Sequence, residues 1–300
     1  MTATADPRLG RNPVLRSLMG MIAICWLGFL GGCKREDVPP SPEGRSIHRY
    51  LHISHIRTGD NGPILPSIAA IDFTGYDMRL LGGDMAYSTS EDDTVMDRLQ
   101  ASFQLGSPNT LWALGNHDYT DLDRIHRYTA RPRYYSYSRD GITFIVLDTQ
   151  DSLCQIQGAQ LALFDSVLDT LERSTHLILL HHKLMWMPDN PTLEPLIPAI
   201  SNIGIGPGFN SLQRNNFYAR LYPRLVEAHA RGIEVLCVGG DMGNNAKEFA
   251  YETPEGIHFL GSGLSYLASN QENRVLLFSQ DLLTGRLDWK FLPVSELMAQ

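Results

Sequence analysis

The chain has 300 residues, 43% of them hydrophobic, and a formal net charge of −8. That length and apolar content suffice for a sizeable buried core. The acidic balance, with no basic stripe, argues against nucleic acid as a partner.

The first segment reads as an address rather than as part of the fold. Arg8, Arg11 and Arg16 form a positive start, and residues 18–30 are apolar. The apolar run is short of the roughly 20 residues a membrane span needs, and it suits a signal-peptide core. It ends in Leu30-Gly31-Gly32-Cys33, which resembles the lipobox of bacterial lipoproteins. That resemblance implies a signal peptide over 1–32 and lipidation at Cys33. It also implies export to the cell envelope, on the periplasmic or outer-surface side, with membrane contact through the anchor. A plain signal peptide and a short anchor helix stay open as alternatives. Residues 33–45, with three prolines in 34–44, read as a tether, and 46–300 as one domain.

Along that domain, residues 50–54 read as a first strand, 64–73 have helical spacing, and 78–81 form a second strand ending in Gly82-Gly83-Asp84. A helix is expected over 91–105 and a third strand over 110–114, ending in Gly115-Asn116-His117-Asp118. Alternating runs around Arg139-Asp140-Gly141 predict a hairpin. Residues 158–173 carry Leu161, Phe164, Leu168 and Leu171 on one helical face. A fourth strand over 177–180 ends in His181-His182.

Residues 184–216 have no clean period and are rich in Pro, Asn and Gly. Such an insertion is either functional or a loop with its own small core. Trp186, Met187, Phe209, Arg214, Asn215 and Asn216 are candidates for a lid. A helix over 217–230 and a strand over 232–238 follow, then Gly239-Gly240-Asp241, and two hairpins over 248–261 and 274–292. Strands alternating with helices, then hairpins, predict one α/β domain with a mixed sheet pair between helices. Of the remaining cysteines, Cys237 sits in an apolar strand pattern and reads as a buried hydrophobe; a bridge to Cys154 stays open.

The strand ends carry His55 and Arg57, Asp84 and Tyr87, Asn116-His117-Asp118, His181-His182, and Asp241. Carboxylates and imidazoles gathered at one end of a sheet suit a divalent cation. Any one of these corners alone is weaker evidence, since Gly-Asp after a strand is also a turn. His52, three residues before His55, is expected on the other side of the strand. Gly59-Asp60-Asn61-Gly62 is first a turn signal.

The ordered set resembles the calcineurin-like metallophosphoesterases over about residues 46–243. Gly115-Asn116-His117-Asp118 matches that family's third motif, Gly83-Asp84-Met85-Ala86-Tyr87 its second, and His181 its fourth. The resemblance implies a four-layer α-β-β-α sandwich, two mixed sheets flanked by helices. Two motifs depart from the pattern. His55-Ile56-Arg57 stands where the family has Asp-x-His, and Gly240-Asp241-Met242-Gly243 where it has Gly-His-x-His. The losses fall on one of the family's two metal positions. By resemblance, the other keeps Asp84, Asn116, His181 and Asp241, with His55 as an added ligand.

The expectation is therefore one divalent ion (Mn, Fe or Zn) rather than two. Arg57 brings a fixed charge and a fork for phosphate oxygens. The resemblance makes His117 a general acid, oriented by Asp118, and sets Arg57 and His182 against substrate. Tyr87 could ligate, as in the purple acid phosphatases, or simply pack. The expected activity is hydrolysis of a phosphomonoester or phosphodiester, on a small or macromolecular substrate. The alternative is an impaired enzyme of the same fold that binds an anionic ligand or a protein partner. A structural envelope role has little in the sequence behind it.

Overall fold

The computed structural model describes residues 46–59, 64–203 and 212–298. The expected signal peptide, Cys33, the whole of the expected tether, Asp60, Asn61 and Phe209 lie outside the described residues. Among the described residues, no helix is long and apolar enough to cross a membrane.

Apolar runs with a period of two place the layers. In β1 (Ile47–Ile53), Tyr50 faces one side while Leu51 and Ile53 face the other. In β2 (Met78–Leu81), Met78 and Leu80 join Tyr50, and Leu81 joins Leu51. Parallel pairing of β1, β2 and β3 (Thr110–Trp112) follows, since helical crossovers separate them in sequence. The hairpin of β10 (Arg274–Asp281) and β11 (Leu287–Pro293) extends this sheet antiparallel on the other side of β1. The order is β11-β10-β1-β2-β3.

The second sheet has the order β4-β5-β6-β7-β9-β8. It contains β4 (Tyr135–Arg139), β5 (Ile142–Val146), β6 (His176–His181), β7 (Glu234–Gly239), β8 (Glu248–Glu252) and β9 (His258–Ser262). Its core strands alternate too. Ile178, Leu180, Leu236 and Val238 meet Tyr50, Leu80 and Phe278 between the sheets. Leu177, Leu179, Val235 and Cys237 face outward under the helices Gly158–Asp169 and Tyr222–Ala230, against Phe164, Leu168, Leu225 and Ala228. Helix Asp93–Phe103 covers the first sheet through Val95, Met96, Leu99 and Phe103. The result is the expected four-layer α-β-β-α sandwich with two mixed sheets.

One local expectation changes, and two points left open by the sequence gain detail. The helical spacing over 64–73 yields only Pro66–Ala69 and a 3₁₀ turn at Phe73–Gly75, where the Asp72 side chain accepts from Thr74 N–H. Cys154 and Cys237 are both buried and free. The irregular insertion is core over much of its described length. Trp186 is fully buried and stacks on Phe249 and Phe259 at 5.1 and 5.2 Å, and Met187 is buried beside it. Asn215 and Asn216 tie down backbone, through Met185 O and both polar groups of Ile156. These residues hold the outer layer, as a loop with its own small core would.

Candidate metal centre

The C-terminal ends of β1, β2, β6 and β7 converge where two glycines touch. A Cβ on Gly240 would lie 1.9 Å from Gly82 O, so the ends of β2 and β7 meet at a distance only glycine permits. Each glycine carbonyl then receives a ring N–H from the opposite sheet. His55 Nδ1 donates to Gly240 O at 3.1 Å, and His182 Nδ1 donates to Gly82 O at 2.7 Å. The two rings stack, with centroids 5.5 Å apart and planes 20° from parallel. With Nδ1 protonated, the Nε2 of each neutral ring keeps its lone pair.

Both lone pairs face carboxylates. His55 Nε2 lies 3.1 Å from Asp84 Oδ2 and 4.0 Å from Asp241 Oδ1. His182 Nε2 lies 3.6 Å from Asp84 Oδ1 and 3.8 Å from Asp241 Oδ1. His182 Nε2 and Asp241 Oδ2 are buried with no hydrogen-bond partner. His55, Asp84 and His182 offer ligand atoms close enough to share one ion, and Asp241 borders them. Buried acceptors pointed at one another need positive charge between them. The donor set therefore fits a divalent cation with mixed nitrogen and oxygen ligands.

The charges respond to this crowding. Burial opposes ionisation of Asp84, yet in the metal-free site attraction to the His182 and His55 rings, when these carry a proton in place of the cation, prevails and holds its carboxyl well below the usual carboxylate range. Burial likewise opposes charge on His55, but Asp84 raises its affinity for a proton. Both residues sit at positive φ, 54° and 55°, a strained conformation that recurs at functional sites.

The ring that faces Asp84 is that of His182, whereas His181 was expected there. The cause is the pleat. Ile178 and Leu180 point between the sheets, so His182 continues inward, while His181 follows Leu177 and Leu179 outward. His181 Nδ1 contacts Lys183 O at 2.7 Å, and burial pushes the ring's pKa down to about 4. Asn116, also expected as a ligand, opens the turn Asn116–Asp118 and is exposed. His52 lies on the inner face as alternation requires, with Nδ1 2.8 Å from Ser262 Oγ.

The Asn116–Asp118 turn packs over Asp84. His117 N–H donates to Asp84 Oδ1 at 3.0 Å, and His117 Nδ1 donates to the Tyr87 carbonyl. That carbonyl, rather than Asp118, orients the imidazole. Asp118 is fully buried and accepts from the N–H groups of Asp84, Met85 and Gly115 at 2.8, 3.1 and 2.8 Å, and from the Thr89 hydroxyl. It clamps two turns together and does not touch the His117 ring. Arg57 NH1 donates to His117 Nε2 at 2.9 Å, and its guanidinium carbon lies 5.9 Å from the Tyr87 ring centroid. Tyr87 is 51% exposed and packs on His117 with centroids 5.2 Å apart. So Arg57, His117 and Tyr87 form the outer wall of the centre.

One group escaped the reading of the sequence. Asn202, in the irregular insertion, places Nδ2 2.9 Å from His55 Nε2. Only an aperiodic, Asn-rich loop marked it.

No protein-family profile matches the chain, and no curated protein matches it. Solved structures do. A dimetal phosphatase from Danio rerio superposes with a TM-score of 0.52 at 11% identity, over 82% of this chain and 99% of that one. A metallophosphoesterase from Sphaerobacter thermophilus gives 0.32 at 9% identity, over 82% and 88%. The first likeness is one of fold: the four layers described above are those of the dimetal phosphatase.

Proposed function

We propose that the chain is a metal-dependent phosphoesterase of the cell envelope, hydrolysing a phosphomonoester or phosphodiester with one divalent ion (Mn, Fe or Zn). The observation that carries the reading is the convergence of His55 Nε2, His182 Nε2 and the carboxylates of Asp84 and Asp241 on one point. The fold shared with a dimetal phosphatase supports it. The Leu30-Gly31-Gly32-Cys33 sequence supports export and lipid anchoring. His55, Asp84, His182 and Asp241 would hold the ion, which supplies positive charge for phosphoryl oxygens and acidifies water.

The chain's own residues divide the remaining work. Arg57 brings a permanent charge to the rim and two parallel N–H donors for phosphoryl oxygens. It stands where the resemblance lost a first-metal ligand. His117 Nε2 faces the same space and accepts from Arg57. When a phosphoryl group takes the guanidinium, Nε2 is released to take up a proton from water and pass it to the leaving oxygen. Its orientation is fixed meanwhile by the Tyr87 carbonyl. Asp118 acts as a positioning residue, because it holds the turns of Asp84 and His117 in register.

A second reading is a binding protein of the same fold, taking an anionic ligand or a protein partner without turnover. The exposure of Asn116 and the occupation of His117 Nε2 by Arg57 favour it. Hydrolysis of aryl phosphate mono- and diesters across divalent metals separates the two. The phosphoesterase reading expects metal-dependent turnover that falls by at least about a hundredfold in His117→Ala, as loss of a general acid would give. Turnover equal in both proteins would place the activity elsewhere.

A further inference from the structure

The geometry points to Asn202 as a substrate-binding residue, a neutral donor for one phosphoryl oxygen beside the cation. This rests on the phosphoesterase reading above.

The amide's orientation is fixed by its neighbours. Asn244 N–H donates to Asn202 Oδ1 at 2.8 Å, so Nδ2 is the end turned toward His55. The Asn202 backbone N–H donates to Asp241 O at 3.1 Å, and Ser201, one residue earlier, pairs with Met242 in a β-bridge. The side chain is thus anchored to the same turn that carries Asp241. Its Nδ2–H points at His55 Nε2, whose other ring nitrogen already donates to Gly240 O. Two electron-rich partners, Asn202 Nδ2–H excepted, face that nitrogen: Asp84 at 3.1 Å and Asp241 at 4.0 Å.

A cation taking the His55 lone pair leaves the Asn202 N–H without its acceptor. The N–H remains anchored beside the ion, because Asn244 and the Asp241 turn hold it there. The ligand that replaces the lone pair must be an acceptor that also contacts the ion. A phosphoryl oxygen meets both conditions. Arg57 approaches the site from the His117 side. A phosphoryl group would so meet charged donors on one side and the neutral amide on the other. The residue lies in none of the motifs of the resemblance, and it replaces donor capacity rather than charge.

Titration calorimetry with Mn²⁺, and then with inorganic phosphate on the Mn²⁺-loaded protein, tests the assignment in Asn202→Ala and Asn202→Asp. Asn202→Asp keeps the acceptor for Asn244 N–H and so guards against a collapsed loop. The donor role predicts Mn²⁺ affinity within about twofold of wild type in Asn202→Ala, and phosphate binding weakened by about tenfold or more, the range for a lost hydrogen bond to a charged group. It predicts opposite changes in Asn202→Asp, with tighter Mn²⁺ and still weaker phosphate. Phosphate affinity unchanged in both variants overturns it. So does a parallel loss of Mn²⁺ and phosphate in Asn202→Ala, which would make the residue a support of the ion. Wild-type protein that binds none of Mn²⁺, Fe²⁺ and Zn²⁺ overturns the phosphoesterase reading and this inference together; one that binds Fe²⁺ or Zn²⁺ alone is taken through the same phosphate titration with that ion.

Discussion

His55 and His182 come from different sheets and stack 5.5 Å apart, each pinned by a glycine carbonyl of the sheet it does not belong to. The exchange fixes both tautomers and turns both Nε2 lone pairs to the same carboxylates. It also makes the centre a joint between sheets. A ligand-binding geometry is thereby tied to the packing of the whole sandwich.

The division of labour in the Asn116–Asp118 turn is open to measurement. Asp118→Ala strands three buried backbone N–H groups. Each costs about 1–3 kcal/mol when unsatisfied, so the variant should unfold at clearly lower denaturant concentration. His117 is partly exposed, and His117→Ala should keep its unfolding midpoint while losing turnover. Equal destabilisation in the two would deny Asp118 its clamping role.

Trp186 provides the corresponding test of the insertion. Stacked on Phe249 and Phe259 and fully buried, it belongs to the outer core. Trp186→Ala should cost about 3–5 kcal/mol in chemical denaturation. Affinity for Mn²⁺ should be unchanged in the folded fraction. A stable variant with altered substrate affinity would place Trp186 in a lid instead.

Acid should weaken the metal-free fold through His52. Burial, reinforced by repulsion from His181 and His182, pushes its pKa from 6.5 down to about 3. The unfolded chain therefore binds more protons across that window, and stability falls as the pH drops from about 6.5 toward 3. His52→Gln removes this contribution, so its unfolding midpoint should depend less on pH between 6.5 and 4. An unchanged pH slope would show that His52 is already charged in the folded state.

Arg57→Lys separates charge from geometry. The ammonium keeps the charge and loses the planar fork. We expect KM for an aryl phosphate to rise by about tenfold or more, with a smaller change in kcat, as loss of one charge-assisted hydrogen bond implies. A variant with wild-type KM would mean that the guanidinium serves His117 alone.

Much of this fold was legible because period-two apolar runs such as Met78–Leu81 and His176–His181 state both the strand and its two faces. The same alternation held the answer at His181 and His182. Ile178 and Leu180 face inward, and continuing the count reaches His182. Motif order pointed one residue too early. The resemblance sets Asp118 against His117, but a tight turn sends neighbouring side chains in different directions. Trp186 and Asn202 were out of reach for another reason. Their partners lie far away in the chain, Phe249 and Phe259 for one and His55 for the other. No local period encodes such contacts.

Metal analysis of the purified protein, with His182→Ala and His181→Ala beside it, tests the centre most directly. We expect one equivalent of divalent metal per wild-type chain, retained in His181→Ala and lost or weakened by at least about tenfold in His182→Ala, in line with removal of a direct ligand. Two tightly bound equivalents, none, or a loss that follows His181 instead would contradict it.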